Sequence, residues 1–165
     1  MLTLLLKKHS DGRTAFTLER ADGSRTWQRQ ERHAAFFAAH DLTHYALETI
    51  TGLRHAFYGL VAQGWDFDDF LPPYPRGPLG AEALWAETLV GLLDVERGTT
   101  APGDTMMSAE EFNAQLSAKL ADAGLTAPRA LEEVTLRAIR MRRDALIAEW
   151  EALPRGETLR LVIDV

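Results

Sequence analysis

The chain has 165 residues, 46% hydrophobic and 25% charged, which supplies a core and makes neither disorder nor a disulfide scaffold necessary. A domain of this length buries roughly 70% of the surface that its unfolded chain exposes. The net charge of −6 argues against nucleic acid or an anionic membrane as a general partner, and the absence of cysteine removes thiol nucleophiles, dithiol redox chemistry and thiolate zinc sites.

The first thirty residues read as a β meander, residues 1 to 30, in which "SDGR" and "ADGS" are Asp-Gly turn signals between "LTLLLKK", "TAFTLER" and "RTWQRQ". In the opening segment the lysines follow the apolar run, and no small-residue cleavage pattern appears, so it reads as a strand and not as a secretory leader. No apolar run approaches the roughly 20 residues of a membrane helix, and a cytoplasmic protein is the expectation. From residue 31 the period becomes helical: Phe36, Ala39, Ala46, Leu47, Ile50, Leu53, Phe57 and Val61 mark one long helix to about residue 63, or two joined near Gly52. Residues 64 to 80, rich in Pro, Gly and aromatics, form a loop, and a second helix covers residues 81 to 97.

Ser108 and Glu111 have capping-box spacing for a third helix that stops at Gly124. Thr126 is expected to cap a fourth, with Leu131, Val134, Ala138, Met141 and Ala145 along one side until Pro154 ends it. The last segment, residues 157 to 165, alternates Leu159, Leu161, Ile163 and Val165 as a half-buried strand and is expected to join the meander. The expected architecture is one α+β domain over residues 1 to 165, a small antiparallel sheet from both termini packed with about four helices formed from residues 31 to 153.

Chemistry concentrates in "HDLTH", residues 40 to 44, followed by Glu48. At about 100° per residue, His40 and His44 lie about 40° apart on one side of their helix, beside the apolar stripe and not opposite it. They should therefore face a groove, where two imidazoles on adjacent turns can meet one divalent ion. Asp41 and Glu48 flank the same row. Either can serve as a ligand, as a base toward metal-bound water, or as an acceptor that fixes an imidazole tautomer. His33 and His55 are reserves, because one precedes the regular helix and the other follows the break at Gly52. An ion needs a donor from elsewhere, and Glu87 on the second helix is the first choice, sharing a face with Asp94 at i, i+7.

This stretch resembles several known patterns. Zinc metalloproteases carry HExxH, but here Asp41 stands where the glutamate would, which puts a peptidase in doubt. The adjacent His40 and Asp41 look like the pair of the HD-domain phosphohydrolases, an all-helical fold that the β termini here do not suit. His40, Asp41 and His44 are similar to the HDxxH of the coenzyme Q biosynthesis metal proteins. Where that family has a later Glu this chain has Ala56, and Glu48 comes earlier. The pattern is also similar to small bacterial families with an HDLxHxxxE helix, a resemblance that implies a metal and names no activity.

Other features are weaker. Asp66, Asp68 and Asp69 lack EF-hand spacing, and no phosphate loop, dinucleotide fingerprint or nucleophile elbow is present. Arg137, Arg140, Arg142 and Arg143 read as a solvated face paired with Glu132, Glu133 and Asp144. The reading is a metal-binding protein, with His40, His44, Glu48 and Glu87 as ligands and Asp41 or Glu48 as the acid or base of a hydrolase or lyase acting on a small molecule. Zinc, iron and manganese suit such ligands equally. The alternative is a non-catalytic interaction module whose histidines line a groove. Exposed sheet edges are compatible with a homodimer.

Overall fold

The computed structural model describes residues 1–101 and 104–164. Four strands, β1 (Leu2–Lys8), β2 (Thr14–Arg20), β3 (Arg25–Gln30) and β4 (Thr158–Ile163), form one antiparallel sheet in the order β3-β2-β1-β4. The α+β architecture with a sheet drawn from both termini is therefore present. Leu2 of β1 sits opposite Arg20 of β2 on one side and Ile163 of β4 on the other. Every second residue faces inward: Leu2, Leu4 and Leu6, then Phe16 and Leu18, then Leu159, Leu161 and Ile163. Val165, expected to continue this alternation, lies outside the described residues.

The helices are α1 (Ala34–Thr51), α2 (Phe57–Ala62), α3 (Ala81–Thr99), α4 (Ala109–Asp122) and α5 (Glu133–Ala152). Ala38, Leu42 and Tyr45 of α1, with Leu146 and Trp150 of α5, cover the inner face of the sheet. The opposite side of α1 meets a second core built around Trp85, Leu89 and Leu93 of α3, Phe112 and Leu116 of α4, and Leu136 and Ile139 of α5. Sandwiched between two layers, α1 is buried at every position from Leu42 to Glu48. A polar side chain on this stretch must therefore find a partner inside the protein.

Of the two expected forms of this stretch, the pair of helices joined near Gly52 is the one observed, with Gly52 in a left-handed conformation (φ 67°) at the end of α1. Glu82 in the first turn of α3 then accepts the backbone N–H groups of Arg54 and His55 at 2.8 and 2.6 Å. The capping box of Ser108 and Glu111 forms as expected. Thr126 does not cap α5, which starts at Glu133 instead. The intervening segment contains Pro128, and Asn113 pins it by bonding both the N–H and the C=O of Leu131 at 2.9 and 2.8 Å.

Two apolar stripes also differ from expectation. Phe36 and Ile50 on α1 are exposed, as are Val134, Met141 and Ala145 on α5. The buried face of α5 is Leu136, Ile139, Arg140, Arg143, Leu146, Ile147 and Trp150. Two arginines of the supposed solvated face thus lie inside. The Arg140 guanidinium bonds both oxygens of Glu96 and the carbonyl of Met107, whereas Arg143 reaches the Leu93 carbonyl and Asp144.

Candidate metal centre

His40 and His44 lie one turn apart on α1, with ring centroids separated by 4.9 Å. Across the groove, Glu87 and Asp94 project from α3. One ligating atom from each of His40, His44 and Glu87 falls within 4.8 Å of the other two. Zinc-type ions lie about 2.0–2.2 Å from such donors, so small side-chain rotations would close the set around a single ion.

A second feature bears on the same rings. Nδ1 of His40 is 2.8 Å from Asp94 Oδ2, and Nδ1 of His44 is 3.2 Å from Glu48 Oε1. A carboxylate can only accept, so each contact places a proton on Nδ1 and, in the neutral imidazole, leaves Nε2 with its lone pair. Metal-ligating histidines almost always donate their other ring N–H to an acceptor that fixes the tautomer in this way, a carboxylate, a backbone carbonyl or water. The Glu48 carboxylate is itself anchored, since its second oxygen accepts the Tyr58 N–H at 2.9 Å. Nε2 of His44 lies 3.3 Å from Glu87 Oε1.

This geometry sets the proton affinities. Burial alone would lower the pKa of His44, but hydrogen bonds to Glu48 and Glu87 overcome it and raise the pKa to about 10. Without a competing cation, His44 is an imidazolium held between two carboxylates. Burial pushes Glu87 upward, yet His44 and His40 outweigh it and leave the carboxyl below its ordinary value. Burial also pushes Glu48 up, and there it prevails. Asp41 is raised to about 7, chiefly by desolvation, against the pull of His40 and of the Gln30 side-chain amide, which donates to Oδ2 at 3.1 Å.

A cavity of about 310 Å³ opens against the donors, with Gln28, Asp41, His40, His44 and Glu87 among its lining groups. Its apolar wall is Phe37, Phe57, Phe67, Phe70, Leu71 and Leu79. Four of these, Phe67, Phe70, Leu71 and Leu79, come from the connection between α2 and α3, where a 3-10 turn (Phe67–Phe70) is closed by a reciprocal cap of Asp66 and Asp69. The aspartates of this loop thus serve local structure, and Asp69 also pairs with Arg76 at 2.8 Å.

The structure brings together His40, His44 and Glu87, with Asp41 on the same cavity. Glu48 is placed on the far side of the His44 ring from Glu87, outside the convergent set. His33 sits at the N-terminal boundary of α1 in a left-handed conformation (φ 54°), and His55 is exposed beside Glu82; neither joins the group. Asp94 and Gln30 acquire roles that their local sequence did not assign. The i, i+7 spacing of Glu87 and Asp94, matching two histidines one turn apart, was the available signal for Asp94; nothing local marks Gln30. No protein-family model matches the chain, and searches of curated proteins and of solved structures find no match.

Proposed function

We propose that this chain binds a divalent metal ion through His40, His44 and Glu87. The observation that carries the reading is the convergence of these donors at a cavity while Asp94 and Glu48 hold Nδ1 of the two rings. Glu48 is then an orienting residue and not a ligand. Three protein donors leave a coordination position toward the cavity, the arrangement of catalytic rather than structural ions. We infer a hydrolase or lyase in which the ion polarises a substrate oxygen or activates water. Asp41, on the cavity and bonded to Gln30, is positioned to take or return the proton. Among the described residues no helix is long and apolar enough to cross a membrane, and the reading needs none.

Elemental analysis of untagged protein tests the binding. A stoichiometric ion in the wild type that is lost in the His40→Ala, His44→Ala double variant is the expected result. No ion after supplementation with zinc, iron and manganese would leave an interaction module as the better account.

A further inference from the structure

The cavity beside the donors also constrains what they can act on. Its wall carries four phenylalanines and two leucines, and no lysine or arginine is among its lining residues. Apart from the candidate ligands, only Gln28 and Asp41 offer polar contacts. A sugar or other polyhydroxylated ligand would lose hydrogen bonds to water that this wall cannot replace.

Charge narrows the choice further. A divalent ion held here with two neutral imidazoles would face three carboxylates, those of Glu48, Glu87 and Asp94, which already outweigh its charge. A dianionic phosphate would enter a region without a compensating cation. The volume is near the lower end of the roughly 300–1,000 Å³ typical of small-molecule sites, which sets a compact size.

Resting on the metal reading, we propose that the cavity takes a compact, non-phosphorylated molecule with an aromatic or branched aliphatic body and an oxygen-donor head that carries at most one negative charge. The body lies against Phe57, Phe70, Leu71 and Leu79, and the head reaches the ion between His40 and His44. The aromatic wall gives the site its selectivity, and the sparse polar lining excludes hydrophilic and phosphorylated compounds.

The test uses the full chain loaded with cobalt(II), whose visible spectrum reports both metal uptake and ligand binding. Benzohydroxamic acid, acetohydroxamic acid and phenyl phosphate are titrated in turn. The expected result is benzohydroxamic acid binding at least about tenfold tighter than acetohydroxamic acid, with phenyl phosphate weakest, because even one methylene in an apolar pocket discriminates on this scale. Leu71→Ser and Leu79→Ser, at an exposed and a half-buried position outside the helices, should retain cobalt and bring the two hydroxamates toward equal affinity. Cobalt uptake with equal hydroxamate affinities, or with phenyl phosphate preferred, overturns this proposal and leaves the metal site standing. Failure to take up cobalt overturns the metal reading and this proposal with it.

Discussion

The Asp94 carboxylate on α3 holds Nδ1 of His40 on α1 at 2.8 Å, so the helix that supplies Glu87 also fixes the tautomer of the candidate ligand opposite it. Glu48 does the same for His44 from within α1. Asp94→Asn would present an amide that can donate where the ring needs an acceptor, freeing His40 to rotate or change tautomer. Removal of such partners typically costs about 10- to 100-fold in metal affinity. We expect a loss of that size for Asp94→Asn in a chelator-competition titration, with circular dichroism unchanged. Unaltered affinity would show that the carboxylate does not orient the ligand.

Metal uptake should release protons. His44 has a pKa of about 10, yet must be neutral to bind an ion. Below that value the apparent affinity is expected to rise about tenfold per pH unit from this group alone. Calorimetry at pH 7.5 in buffers of different ionisation enthalpy should give a slope near one proton released per ion. The same shift acts on the metal-free fold with its own sign. The folded pKa exceeds the unfolded value, so the stabilising contribution of His44 is complete below about pH 6.5 and is lost as pH rises through about 10.

Asp41 moves stability in the same direction over a lower window. Its folded pKa, about 7, exceeds the ordinary 3.8, so the native state binds more protons between these values. Its contribution therefore favours folding at acid pH and declines as pH rises from about 4 to about 7. The shift corresponds to as much as about 4 kcal/mol. Asp41→Asn removes the ionisation while keeping an oxygen for the Gln30 amide. Urea unfolding of the metal-free variant should show little of the decline seen in wild type across that window. A difference between the wild-type and variant profiles that stays flat between pH 4 and 7 would mean that Asp41 is not desolvated.

The sheet was legible because alternation with a period of two, bounded by Asp-Gly turns, admits few other readings, and both ends of the chain show it. The histidine row was legible for a comparable reason, since i, i+4 spacing fixes a common helical face wherever the helix lies. What escaped were features set by distant partners. Arg140 and Arg143 look like surface residues until Glu96 and the carbonyls of Leu93 and Met107 are brought to them, and this displaced the expected apolar stripe of α5. Glu48 was legible as part of the site, but which side of His44 it would occupy depends on the α1–α2 turn that presents the Tyr58 amide.

The Arg140–Glu96 pair shows what such concealed partners contribute. Both side chains are almost wholly buried, at 8% and 2% exposure, and the contact is bidentate. Removing one partner leaves an uncompensated charge inside the protein, which typically costs about 3–5 kcal/mol, whereas replacing both by apolar groups is often close to neutral. Arg140→Met is therefore expected to destabilise by that amount in chemical denaturation, and Arg140→Met with Glu96→Leu to recover most of it. A double variant no more stable than the single one would show that the pair's packing, and not its charge balance, dominates.

Gly59 tests how the turn after α1 supports the site. A Cβ at this position would overlap the backbone carbonyl of Arg54, which cannot retreat as a flexible side chain could. The neighbouring residue, Tyr58, holds Glu48 through its amide and donates its hydroxyl to the Asp41 carbonyl at 2.8 Å. Gly59→Ala should therefore displace α2, destabilise the fold by about 1–3 kcal/mol, as overpacking generally does, and weaken metal binding through Glu48. Gly91→Ala is the control, because a Cβ there meets nothing within 4 Å and α3 gains helix propensity. Equal stability and equal metal affinity in the two variants would mean that the turn accommodates a side chain and that the Tyr58 amide does not depend on its tightness.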